Sequence, residues 1–173
     1  MVARKPILVA WSGGKDCLMA LDRLLADPQW QVVGLITTLD RTSDRVAMHD
    51  VRGDVLRAQA SALDLPLFEM AIDWPAPNDA YESALASTLG MARKHSTELA
   101  HVAFGDLFLG DLREWREASL KRIGWHGIFP LWGSPTRELA ESFIANGHQA
   151  IVSTVDLEQL DESYCGRPFD SAF

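Results

Sequence analysis

Apolar residues in this chain fall into short runs of two kinds. Ile7-Leu8-Val9-Ala10-Trp11 is continuous and is bounded by Pro6 and by Ser12-Gly13-Gly14, the pattern of a strand buried on both faces. Similar β-rich runs near 31–38, 66–72, 101–105 and 149–155 predict four further strands, and Gly127 to Leu131 is a candidate short one. Between them, apolar positions at helical spacing predict helices near 15–26, 51–64, 79–95, 111–123 and 135–146. Strand and helix alternate, so the expected fold class is α/β: a parallel sheet of about five strands with helices on both faces.

Local punctuation supports these boundaries. Asn78 or Asp79 can cap the third helix, and Ser134-Pro135 offers a cap followed by proline at the first helical position. Gly124 and Gly147 fall where helix C-termini need a left-handed residue. Asp40 to Asp50 is too polar for core and reads as a loop leaving the second strand, and Trp74-Pro75-Ala76-Pro77 reads as one rigid loop. Loops at the carboxyl ends of parallel strands build the ligand crevice, so the first, second and fourth strand ends should point at one site.

With 173 residues, 47% of them hydrophobic, the chain can bury one good core, and a single domain over 1–173 is the expectation. A net charge of −8 argues against a nucleic-acid partner, because gripping a phosphate backbone calls for a basic face. Cys17 and Cys165 form no Cys-x-x-Cys pair, so zinc and redox motifs lack support. Met1 to Pro6 runs straight into a strand without a signal-type apolar stretch. The expectation is a cytoplasmic protein with no membrane association.

Ser12-Gly13-Gly14-Lys15-Asp16-Cys17 joins the first strand to the first helix. A glycine pair there lets backbone N–H groups close around phosphate oxygens, with the positive end of the helix behind them. A Walker-type string and the dinucleotide fingerprint Gly-x-Gly-x-x-Gly are both missing. At the end of the fourth predicted strand, Gly105-Asp106 places a carboxylate where magnesium and a nucleotide could meet, since magnesium takes one or two protein carboxylates and completes its shell with phosphate and water. Arg113 and Glu117 share a face of the next helix. Singly, His49 reads as a solvated loop histidine, Tyr81 as a core-facing helix residue and Trp132 as a packing anchor; their order along the chain is what changes the reading.

The loop resembles the PP-loop, or N-type ATP pyrophosphatase, signature Ser-Gly-Gly-x-Asp-Ser, with Cys17 in place of the last serine. A thiol is the weaker donor. Read with Met48-His49, Gln59-Ala60, Leu65-Pro66-Leu67, Asn78 with Tyr81-Glu82, Phe104-Gly105-Asp106-Leu107, Arg113, Glu117, Pro130-Leu131-Trp132 and Cys165-Gly166-Arg167 with Phe169-Asp170, the chain is similar to the diphthine:ammonia ligase-like branch of that superfamily. The strings Arg45 to His49 and Phe104 to Leu109 are of the kind expected in bacterial members. The family's fold is adenine nucleotide α-hydrolase-like, a Rossmann-like arrangement.

The resemblance implies an ATP-dependent amide ligase that adenylates a carboxylate, releases pyrophosphate and transfers ammonia. It assigns ATP to Ser12, Gly13, Gly14, Lys15, Asp16, Cys17, His49, Gly105 and Asp106, and Mg2+ to Asp16 and Asp106. Lys15, Asp16, Asp106, Arg113 and Glu117 become the candidate catalytic residues, and Asn78, Tyr81 and Trp132 the candidate substrate contacts. Diphthamide belongs to the elongation factor of archaea and eukaryotes, so a bacterial-type member is expected to use another, unidentified carboxylate. Family chains continue into a segment with Cys-Gly-Glu and Glu-Phe-His-Thr strings; this sequence lacks them, and a homodimer is one assembly that apolar surface left by that segment would favour. Two other classes stay open: a non-enzymatic adenine-nucleotide module, and an RNA-modifying PP-loop enzyme, which would call for a basic surface. A phosphosulfate-reductase-like role would rest on Cys165 alone.

Overall fold

The first strand sets the architecture by alternation. Ile7 and Val9 face one side of the sheet and Leu8 the other, so both sides of this central strand must be covered. In the computed structural model, which describes residues 3–172, they are covered by helices. The elements are β1 (Lys5–Ala10), α1 (Lys15–Ala26), β2 (Trp30–Asp40), β3 (Arg45–Val46), α2 (Gly53–Ala62), β4 (Leu67–Ile72), α3 (Asn78–Arg93), β5 (His101–Ala103), α4 (Gly110–Arg122), β6 (His126–Ile128) and α5 (Thr136–Ala145), followed by a short 3-10 turn, Glu162–Tyr164.

Leu35 and Ile36 of β2 pair with β1 on one side and with β4 on the other, and β5 and β6 follow beyond β1. The five parallel strands therefore run in the order β4-β2-β1-β5-β6. Leu21, Leu24, Leu56 and Ala60 pack α1 and α2 against Ile7, Val9 and Leu35. Leu85, Leu89 and Leu120 pack α3 and α4 against Leu8, Ile36 and Met70 on the opposite face. Each such leucine contributes roughly 1.5–3 kcal/mol by leaving water. Chain direction across the sheet reverses between β1 and β5, and that reversal leaves a crevice at the strands' carboxyl ends.

Three expectations are corrected. The run at 149–155 adds no strand to the sheet: Ile151 forms only an isolated antiparallel bridge with Pro168, laced by Val152 N–H to Arg167 O at 2.9 Å and Phe169 N–H to Ala150 O at 2.8 Å. The sheet ends instead on β6, the short candidate near Gly127. Asp40 to Asp50 is not wholly loop, because β2 runs to Asp40 and turns back through Arg45–Val46, whose Val46 is buried. The caps also shift by a residue: Pro77 and Pro135 hold the N-cap positions of α3 and α5 with no side-chain capping bond. Gly124 and Gly147 do adopt left-handed conformations, at φ 71° and 77°.

The chain divides after Trp132 into two compact units. In the second, Leu139 and Phe143 of α5 are buried, and the Phe143 ring meets His148 at 5.2 Å and Phe169 at 5.9 Å. Among the described residues no helix is long and apolar enough to cross a membrane.

Candidate functional site

The turn after β1 is held open by its neighbours. Gly13 sits at φ 81°, a conformation that disfavours side chains, and Gly14 takes the N-cap of α1 without a side-chain cap. Gln59 of α2 braces the turn, accepting from Trp11 Nε1 at 2.9 Å and donating Nε2 to Gly13 O at 3.2 Å. Gly105 is required by close approach: a Cβ there would lie 2.8 Å from the Asp16 carbonyl carbon and 3.0 Å from Cys17 N. The end of β5 is thereby pressed against the first turn of α1.

A cavity of about 270 Å³ opens above this contact. Ala10, Trp11 and Ser12 line it from β1, Ile36 to Thr38 from β2, Ala47 to His49 from the returning hairpin, and Phe104, Gly105 and Asp106 from the end of β5. The first, second and fourth predicted strand ends do meet at one place, as expected of a doubly wound sheet.

Both loops at its rim are tied to charged residues. The Asp40 carboxylate accepts from the Ser43 hydroxyl at 2.6 Å, Ser43 N–H at 2.8 Å and Trp74 N–H at 3.1 Å. Those donors, the hydroxyl foremost, lower its pKa to about 2. Arg57 of α2 forks between Asp44, at 2.8 Å on both oxygens, and Glu69 of β4, at 2.7 Å. Its guanidinium holds the Asp44 carboxyl below its ordinary range. The hairpin comes to Gly53 so closely that a Cβ there would meet Asp44 Oδ1 at 2.7 Å. Met48 is presented at the rim in a left-handed conformation, 81% exposed.

Cys17 is the one departure from the loop pattern, and its side chain turns inward. It is 4% exposed, its thiol donating to Gly14 O at 3.0 Å while the Ser12 hydroxyl lies 3.8 Å from its sulfur. Burial raises its pKa; the Ser12 hydroxyl and the backbone N–H groups of Ser12, Gly13 and Gly14 pull the other way.

The predicted residues separate into two groups. Ser12, Asp16, Cys17, His49, Tyr81, Gly105 and Asp106 line the cavity, while Gly13, Gly14 and Lys15 form the turn beside it, with Lys15 Nζ bonded to the Asp16 carboxylate. Asn78, Arg113, Glu117 and Trp132 are not brought to its wall. Arg113 pairs with Glu117 at 2.8 Å and lies over the Phe129 and Trp132 rings, at 4.8 and 4.7 Å, as a packing clasp.

Sequence reasoning passed over several lining residues, Thr37, Trp74 and Arg116 among them. Thr37 is 3% exposed, and among the described residues its hydroxyl has no hydrogen-bond partner. Trp74 stands at the rim. Arg116 lies 2.9 Å from Asp106 Oδ2 through Nε, in an ion pair whose N–H does not point straight at the oxygen, and rests 4.3 Å over the Phe104 ring. The signal for Arg116 is helical: it precedes the fully buried Leu120 by four residues and so shares its inward face.

An unpartnered buried hydroxyl beside an open cavity, a glycine turn at a helix N-terminus and one fixed guanidinium suit a ligand carrying phosphates and further polar edges. Among the described residues no group of three His, Cys, Asp or Glu gathers to hold a metal, although a phosphate-bound magnesium needs only one or two carboxylates. Asp16, bonded to Lys15, and Asp106, paired with Arg116, are the two carboxylates on the cavity wall that fit that role.

The family model for the diphthamide synthase N-terminal domain matches residues 5–126, more than half of the chain. A comparison with curated proteins gave no match. The matched segment contains the glycine turn and every residue lining the cavity, and the chain belongs to the diphthamide synthase N-terminal-domain family, part of the PP-loop ATP pyrophosphatase superfamily of ATP-binding proteins.

Proposed function

We propose that this protein is an ATP-dependent amide ligase of the bacterial, diphthine:ammonia ligase-like type. The observation that carries the reading is the convergence of the Ser12 to Cys17 turn with the ends of β2 and β5 on one cavity, which lets a nucleotide and a second substrate lie side by side. The turn's backbone N–H groups and Lys15 hold the β and γ phosphates. A carboxylate oxygen of the second substrate attacks the α phosphorus, the bond from that phosphorus to the bridging β oxygen breaks, and pyrophosphate leaves. Ammonia then attacks the acyl carbon, AMP departs with the carboxylate oxygen, and the ammonium-derived proton passes to water.

Lys15 and the helix N-terminus act where negative charge grows on the departing pyrophosphate, the largest effect such a site can supply. A bound Mg2+ would add charge neutralisation there, and Asp16 and Asp106 are the carboxylates that would hold it. Thr37 offers its free hydroxyl to the nucleotide.

The test is thermal stabilisation of the intact chain by ATP and magnesium. At a hundredfold excess over Kd, binding raises stability by about 2.7 kcal/mol. Lys15→Ala should abolish the shift, and AMP with pyrophosphate should accumulate once a suitable carboxylate and ammonia are supplied. A wild type indifferent to ATP sinks the reading; binding without turnover across a carboxylate panel leaves an adenine-nucleotide module.

A further inference from the structure

The cavity has two unlike halves. Next to α1, Ser12 and Asp16 make a polar wall, with the glycine turn beside it. Toward α3 and α4, the wall is Met70, Trp74, Tyr81, Leu85 and Phe104, and set into it is Arg116. Arg116 is the only lysine or arginine lining the cavity among the described residues.

Its surroundings decide what it can hold. The side chain is 21% exposed, its plane rests on Phe104, and its Nε edge is committed to Asp106, itself 18% exposed. No other protein acceptor among the described residues reaches the guanidinium. The terminal nitrogens therefore keep donors for one more acceptor group, and a planar fork suits a carboxylate. Asp106 offsets much of the positive charge, so the free edge matches a monoanion better than a polyphosphate chain, which the α1 turn already serves. Apolar and aromatic walls fit a carboxylate attached to an apolar body.

We infer that Arg116, positioned by Asp106 and Phe104, is the residue that recognises the acyl substrate, seating its carboxylate in the apolar half of the cavity, and that the substrate is a carboxylic acid on an aliphatic or aromatic body. This rests on the ligase reading above and names the substrate class of the same site. The role falls to Arg116 and not to its helix neighbours Arg113 and Glu117, which satisfy each other outside the cavity.

The experiment uses the intact chain and two probes of one shape, 3-phenylpropanoate and its neutral amide, with AMP as the nucleotide. Thermal stabilisation and quenching of tryptophan fluorescence, Trp74 being at the rim, are read for each. The expected result is that the acid stabilises the wild type and the amide does not, that acid and AMP add, and that Arg116→Met loses at least tenfold in acid affinity while its AMP affinity changes less than twofold. Arg116→Lys should keep part of the acid response, since it keeps the charge but not the fork. Should Arg116→Met fail to fold, the acid–amide difference and the additivity with AMP are measured on the wild type, and Arg116→Lys carries the mutational arm.

Equal response to acid and amide, no response of the wild type to the acid, or an acid response surviving in Arg116→Met overturns the assignment. Competition between acid and AMP overturns it too, giving the apolar half to the nucleoside, and loss of AMP binding in Arg116→Met would make the guanidinium a nucleotide-phosphate ligand. An AMP-indifferent wild type that still binds the acid through Arg116 would remove the ligase reading and leave the carboxylate site standing.

Discussion

The two ends of the parallel sheet carry the same kind of flaw and handle it differently. Among the described residues, the Thr37 hydroxyl at the carboxyl end is buried with no hydrogen-bond partner, and so is His101 Nδ1 at the amino end. Thr37 opens on the cavity that Ser12 and Arg116 also line. His101 lies between rings, with Trp30 at 5.1 Å and His126 at 5.5 Å, while Lys5 stands 6.0 Å from the Trp30 ring. An orphaned polar atom costs about 1–3 kcal/mol wherever it lies. Only where space adjoins it can a ligand recover that cost, so the pair separates a site from a packing compromise.

The sharpest way to break this comparison is to fill the contact on which the carboxyl end depends. Gly105→Ala places a Cβ against the backbone of Asp16 and Cys17, where neither side can rotate away. It should destabilise the protein by about 1–3 kcal/mol and abolish ATP-induced stabilisation. Gly90→Ala, in the interior of α3 with nothing near its Cβ, should do the opposite, gaining roughly 0.5–1 kcal/mol with ATP binding intact. Denaturant unfolding of both variants with and without ATP reads the difference; equal losses in the two would mean that the β5 to α1 approach has no special role.

What the sequence disclosed of these regions follows from how local each signal is. β1 and the glycine turn were readable because Ile7 to Trp11 and Ser12 to Cys17 carry their reasons within a few residues. So did the meeting of three strand ends, which follows from strand–helix alternation. The run at 149–155 has the composition of a strand, but pairing is a long-range matter: Ile151 is 64% exposed, and its partner is Pro168, not a sheet edge. Arg113 and Glu117 are candidates through the family resemblance, whereas their i,i+4 spacing by itself encodes the ion pair that they form away from the cavity wall. Arg116 meets Asp106 and Phe104 across a loop, a relation that no spacing rule encodes.

A smaller effect should come from loosening the rim while leaving the floor alone. Asp40 links the hairpin, through Ser43, to the Trp74 loop, beside the exposed Arg41–Asp73 ion pair. Its depressed pKa means that this link holds above the ordinary value of 3.8 and is lost as pH falls toward about 2. Asp40→Asn should reproduce the loss at neutral pH, since one amide oxygen cannot replace both carboxylate oxygens as acceptors. Hydrogen exchange should quicken in residues 41–50 and 73–77 and stay unchanged in β1 and β5. Unchanged exchange at the rim would show that the loops are held by other contacts.

The mildest effect belongs to the amino end of the sheet, and its sign follows from what surrounds the imidazole. Burial lowers the pKa of His101 below its ordinary 6.5, and the neighbouring His126 and Lys5 push the same way against a favourable contact with Pro6. The folded state thus takes up the His101 proton at a lower pH than the unfolded chain, whose ordinary value is 6.5. Stability from this group is complete above that value and declines as pH falls toward the lower folded pKa. His101→Asn should flatten the decline in melting temperature between pH 7 and 5 while leaving ATP stabilisation at pH 7.5 unchanged, because the cluster lies at the opposite end of the strands from the cavity. An unaltered pH profile would assign the decline to other groups and make the His101 contact a matter of shape alone.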